Sequence, residues 1–199
     1  MCMNSVKNNE HTIIIKNSRF ICYIYKVDNI DEINKTLSET RVKYYDATHC
    51  CYAYILDNIK KESDDGEPSG TAGIPMLQVL EKNNLNHVLC IVVRYFGKIK
   101  LGAGGLVRAY TKSVTETLKN NIITLVPGFK ILLTFNYDNL KSVDYLLKDI
   151  IIINKFFDNK ITYEVDVDNN LLNNLKSIKD IEIKVLDNIY IAPKNKELY

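Results

Sequence analysis

The chain has 199 residues, with 26 lysines and arginines against 24 aspartates and glutamates, for a net charge of +2. Its hydrophobic fraction of 46% and charged fraction of 25% are those of a folded globular protein and exclude a disordered or collagen-like chain, while near-neutrality does not by itself mark a nucleic-acid binder. No apolar run, Ile150 to Ile153 included, is long enough to span a bilayer, so no membrane partner is expected.

Residues 12–27 read as two paired strands about a polar turn at Asn17-Ser18. A helix follows, capped by Asp28 or Asn29, with Ile30, Ile33 and Leu37 on its apolar face. Thr48 to Leu56 is a β-branched and aromatic strand, and residues 57–70 read as loop. Thr71 is placed to cap a helix over 72–83, with Pro75 in its first turn. His87 to Tyr95 is apolar enough to be a strand buried on both faces, with His87 itself expected to face solvent. A helix over 104–120 then carries Leu106, Tyr110, Val114 and Leu118 as a buried stripe. Val126-Pro127-Gly128 reads as a break and sets expected domains at 1–126 and 129–199. Beyond it the pattern is strand (129–137), helix (138–148), strand (150–157), strand (160–167), helix (168–177), strand (181–191). That βαββαβ order is the ferredoxin-like arrangement.

Five cysteines, at 2, 22, 50, 51 and 90, match neither zinc-ligand spacing nor a disulfide framework. They imply reduced thiols and a cytoplasmic protein, as does a start without an apolar leader run, and Cys22 and Cys90 suit a core. His49-Cys50-Cys51 is not a nucleophile: strand neighbours point to opposite faces, and Cys51 stands about 7 Å along the strand from His49.

Seven of the eight glycines lie between Gly66 and Gly105, so backbone geometry is most tightly specified there. The stretch opens with an acidic turn, Ser63 to Pro75 (SDDGEPSGTAGIP), and closes with a basic one, Val92 to Tyr110 (VVRYFGKIKLGAGGLVRAY). Residues 82–115 hold six basic side chains and no acidic one.

These two segments resemble the signature of the IMPACT family, also called the YigZ family. Lys16 to Ile24 (KNSRFICYI) and Asp46 to Tyr54 (DATHCCYAY) are similar to its upstream motifs. The resemblance covers most of 16–120. It implies an α+β protein of two domains: an N-terminal α/β sandwich of the ribosomal-protein domain-2-like type, then a ferredoxin-like domain. It also implies a regulator of translation, since eukaryotic members of the family act on a pathway controlling an initiation-factor kinase. For two-domain members a nucleic-acid or ribosome-related role is implied. The family brings no catalytic residues to carry over. Where its pattern has a second glycine after Arg-Tyr-Phe-Gly, this chain has Lys98, which is strained if φ there is positive.

Two candidate sites follow. Gly102, Gly104 and Gly105 open a helix whose free amides and dipole suit an anion, with Arg94, Lys98, Lys100 and Arg108 near in sequence. The competing reading is tight packing of that helix on the sheet. Asp64, Asp65 and Glu67 can clamp Arg94 and Arg108, hold Mg²⁺, or face a partner. Tyr95 and Phe96 among basic residues have the composition of a single-strand nucleic-acid surface, whereas Tyr110 reads as core.

The favoured function is a non-enzymatic binding protein or regulator of translation, with no cofactor, metal or catalytic residue. Its basic face meets RNA, the ribosome or a translation-related protein. The alternative is a nucleotide-dependent phosphotransferase using the same glycine loop with Mg²⁺ on Asp64, Asp65 or Glu67. Against it stand the lack of a general base and of a GxxxxGK[ST] sequence.

Overall fold

The computed structural model describes residues 3–192, which fall into two compact units, Met3–Ile123 and Thr124 onward. In the first unit, β1 (Met3–Val6), β2 (Asn9–Ile15) and β3 (Ser18–Lys26) precede helix α1 (Ile30–Lys43). Next come β4 (His49–Leu56), β5 (Ile59–Ser63), α2 (Gly73–Lys82), β6 (Val88–Tyr95) and α3 (Ala103–Leu118).

Five strands form an antiparallel sheet in the order β2-β3-β6-β4-β5. Its central strand β6 is apolar at every position from Val88 to Val93, and the side chains alternate between two cores. Val88, Cys90 and Val92 pack under α2 and α3 with Phe20, Cys22, Cys51, Met76, Leu106 and Tyr110. Leu89, Ile91 and Val93 face α1, through Ile33 and Leu37. The unit is therefore an α/β sandwich with helices on both faces, and Leu106, Tyr110, Val114 and Leu118 are all buried as their spacing predicts.

Local signals explain most boundaries. Asn29 caps α1 by accepting from the Glu32 N–H at 2.9 Å. Thr71 does not cap α2; its hydroxyl donates to the Pro68 carbonyl at 2.6 Å. Residues 57–70 are not all loop, because Ile59–Ser63 pairs with β4 from Leu56↔Ile59 to Tyr52↔Ser63. This edge strand, Ile-Lys-Lys-Glu-Ser, is charged and largely exposed, so it lacks the apolar alternation that marks a strand. His87 does not face solvent. It is 9% exposed, sits between Asp28 and Asp57, and its carbonyl accepts from the Ser5 hydroxyl.

In the second unit, β7 (Ile122–Phe135) leads through a 3-10 turn (Tyr137–Asn139) into α4 (Leu140–Leu146). Strands β8 (Ile152–Phe157) and β9 (Ile161–Asp168), helix α5 (Asn169–Lys176) and strand β10 (Ile181–Ile191) complete it. Antiparallel pairing gives the order β10-β7-β9-β8, the ferredoxin-like topology. Ile131, Leu133, Phe135, Tyr163 and Val165 form the core with Val143, Leu172 and Leu175 from the helices.

Val126-Pro127-Gly128 is not a break; it lies inside β7. Proline is tolerated because β9 joins the ladder only at Gly128↔Asp168. The fold class is thus the one expected: an α/β sandwich of the ribosomal-protein domain-2-like type, followed by a ferredoxin-like domain.

Candidate functional site

At one end of the first sheet the start of β3, the start of β4 and the end of β6 lie side by side, with Arg19↔Tyr95 and His49↔Arg94 in register. The acidic turn and the basic glycine loop both leave from this end. They have opposite fates.

The acidic turn is folded inward. Asp64 accepts the backbone N–H groups of Gly70, Ala72 and Gly73 at 2.7, 2.8 and 2.9 Å. It therefore caps α2 from nine residues upstream. Partial burial pushes its carboxyl up, but these three donors outweigh burial and hold it below the usual 3.8. Asp65 accepts the Cys50 N–H at 2.6 Å and meets Arg41 at 3.3 Å. Its carbonyl lies 2.8 Å from His49 Nδ1.

Glu67 has a side chain only 3% exposed. Its Oε1 accepts from Arg94 Nη1 at 2.5 Å and from the Tyr110 hydroxyl at 2.7 Å, and Oε2 lies 3.7 Å from His49 Nε2. Arg94 is correspondingly buried, at 5% exposure, with its guanidinium 5.4 Å from the Phe20 ring centroid and 5.6 Å from that of Phe96. A buried pair contributes no net charge to the surface. Arg94, expected among the anion-binding residues, is instead half of an internal clamp with Glu67. The reason is parity: it shares a face of β6 with Cys90 and Val92, beneath α2 and α3.

The neighbouring thiols are buried, which disfavours the thiolate. Burial, and then Asp65, raises Cys50 to about 11; burial also pushes Cys51 up strongly. The Cys51 thiol has two oxygens within donating reach, the Asp64 carbonyl at 2.9 Å and the Tyr110 hydroxyl at 3.3 Å.

The basic loop is folded outward. Lys98, Lys100 and Arg108 are exposed, and among the described residues none forms an ion pair. Arg108, expected in the clamp, does not join it. Gly102 has φ +73 and open space where a Cβ would stand; it is the N-cap of α3 and gives it no side-chain cap. The first main-chain bond of the helix runs from the Leu106 N–H to the Gly102 carbonyl at 2.9 Å. The amides of Ala103, Gly104 and Gly105 therefore precede any intrahelical acceptor. Gly104 is exposed, while a Cβ on Gly105 would stand 3.1 Å from Leu101, a neighbour in the loop itself rather than in the sheet. Lys98 has φ +65, the left-handed conformation that the glycine of the family pattern takes freely.

Sequence reasoning missed that the Lys16-Asn17 turn meets this loop. A Cβ on Gly97 would fall 2.0 Å from the carbonyl carbon of Asn17, so the basic loop lies directly on the β2–β3 turn. The Gly97 N–H donates to Ser18 Oγ at 3.1 Å, and the Arg19 guanidinium lies 4.4 Å from the Tyr95 ring centroid. The only linear trace of this packing is the glycine itself, some eighty positions from its partner.

Residues 16–118, which contain the whole of this end of the sheet, match the family model for the Impact N-terminal domain. The chain is 51% identical over 114 residues to the IMPACT family member YvyE of Bacillus subtilis (strain 168); that match covers 56% of this chain and 52% of the relative. It therefore spans about half the length of that protein. Over 139 residues it is 36% identical to the IMPACT family member YigZ of Escherichia coli (strain K12), covering 67% and 68% of the two chains. A crystal structure described as a hypothetical protein superposes over 94% of this chain and 98% of its own, with a TM-score of 0.63 at 27% identity. The motifs, the matched domain and these likenesses agree, and the chain belongs to the IMPACT family.

Proposed function

We propose that the chain is a non-enzymatic regulator or binding protein of translation, and that its basic glycine-rich face is the surface that docks RNA, in free form or on the ribosome. One observation carries this reading. At the end of the sheet from which the acidic and basic segments both leave, the carboxylates of Asp64, Asp65 and Glu67 are spent on internal partners, whereas Lys98, Lys100 and Arg108 remain exposed. That leaves a positive field beside the uncapped start of α3. The link to translation comes with the family, whose eukaryotic members act on a pathway controlling an initiation-factor kinase.

The phosphotransferase alternative loses ground on the same geometry, because the carboxylates it needs for Mg²⁺ already bond to main-chain amides or to Arg94. The nearest thiols, raised by burial, offer no nucleophile. Among the described residues no helix is long and apolar enough to cross a membrane.

Co-sedimentation with purified ribosomes tests the proposal. The variant Lys98→Ala/Lys100→Ala/Arg108→Ala, all on exposed sites, is expected to melt with the parent chain and to lose ribosome association. Undiminished association by the folded triple variant removes this surface from consideration.

A further inference from the structure

We infer that the basic face is a single-strand platform, on which an unpaired RNA base stacks against Phe96; this deepens, and rests on, the reading of that face as an RNA-docking surface. Phe96 leaves the end of β6 with 44% of its surface exposed. Singly exposed aromatics are ordinary. This one differs in how it is held.

Its own N–H donates to Thr48 Oγ1 at 3.0 Å, and the next N–H, of Gly97, donates to Ser18 Oγ at 3.1 Å. Gly97 is also pressed against the backbone of Asn17. The main chain on either side of the ring is thus tied to the residue before β4 and to the start of β3. Beneath the ring, 5.6 Å from its centroid, lies the guanidinium of Arg94, fixed by Glu67. The ring is presented by a rigid support, which lowers the entropy lost when a ligand stacks on it.

The surroundings supply the second half of the chemistry. Lys98 and Lys100 follow within four residues, and Lys16 lies in the turn that Gly97 touches. Arg108 lies one turn into α3 with its guanidinium near Gly104, whereas Arg19, stacked on Tyr95, lies on the other face of the sheet. Asp46, exposed nearby, accepts from the Tyr95 hydroxyl at 2.7 Å. A flat ring within a group of cations fits a strand that offers both a free base face and a phosphate chain. A duplex keeps its bases stacked inside and gives the ring nothing to do. An acidic protein surface would use the lysines and arginines without needing a planar aromatic.

Fluorescence anisotropy on the whole chain tests this with three probes: a labelled uridine oligomer of about 12 nucleotides, an RNA duplex of the same length, and poly-glutamate. Phe96→Leu keeps the apolar bulk and removes the ring face; Phe96→Trp keeps a ring. The expected result is tighter binding to the single strand than to the duplex. Phe96→Leu should weaken single-strand binding about tenfold with an unaltered salt dependence, and Phe96→Trp should restore it. Parent-like single-strand binding by Phe96→Leu, or a duplex bound as tightly as the single strand, overturns the stacking inference alone. Poly-glutamate bound in preference to RNA assigns the face to an acidic protein partner and overturns it too. A parent chain that binds neither RNA probe nor ribosomes removes the underlying reading as well.

Discussion

Arg94 and Glu67, 27 residues apart, meet in the interior of the first unit with Nη1 and Oε1 2.5 Å from each other. Both are more than nine-tenths buried. The pair joins the acidic turn to the end of β6, and it divides the charged residues of this end into those that hold the fold and those that face outward.

Removing one partner of such a pair leaves an uncompensated buried charge. Arg94→Met and Glu67→Leu should each lower the free energy of unfolding by about 3–5 kcal/mol. The double variant should cost less than the two together, because no orphaned ion remains. Urea unfolding of the two singles and the double checks this. Strict additivity would show that the residues do not act as a unit.

Asp64 should be the main support of the α2 start. Asp64→Ala removes the acceptor of three amides and is expected to cost about 2 kcal/mol, while Asp64→Asn should recover part of it. Because the folded carboxyl is held below its usual 3.8, its contribution is complete above that pH and is lost as pH falls through the lower folded value. The gap in stability between the parent chain and Asp64→Ala should therefore be constant from neutral pH down to about 5 and close in stronger acid. A gap that widens in acid would contradict the capping role.

Lys98 serves two ends that a single substitution can separate. Its φ of +65 strains a residue with a Cβ. Lys98→Gly relieves that strain, partly offset by the looser unfolded chain, and should raise stability by about 0.5 kcal/mol. The same change removes an exposed cation and should weaken RNA binding uniformly across sequences. Lower stability in thermal melts, or unchanged affinity, would argue against one or the other role.

Much of the fold could be read from the chain because its signals are local. The six consecutive apolar positions of β6, the four-residue stripe of α3 and the βαββαβ order each depend on near neighbours. What escaped depends on distance. Arg94 sits in a run of basic residues and looks like a surface cation; only its parity with Cys90 and Val92, and a carboxylate 27 residues back, turn it inward. Asp64 caps α2 from nine residues upstream, so a local scan for a cap stops at Thr71. Pro127 reads as a break because its tolerance in β7 depends on where β9 begins to pair. The meeting of the basic loop with the Lys16-Asn17 turn joins elements distant in the chain and is visible in sequence only as Gly97.

The most direct measurement is the slope of the logarithm of the association constant for single-stranded RNA against the logarithm of salt concentration. It should be taken for the parent chain and for the Lys98→Ala/Lys100→Ala/Arg108→Ala variant. Every phosphate of a single strand that a removed cation no longer neutralises should reduce the slope by about 0.7, so three should flatten it by roughly 2. Identical slopes for the two proteins would contradict the assignment of this face to a polyanion.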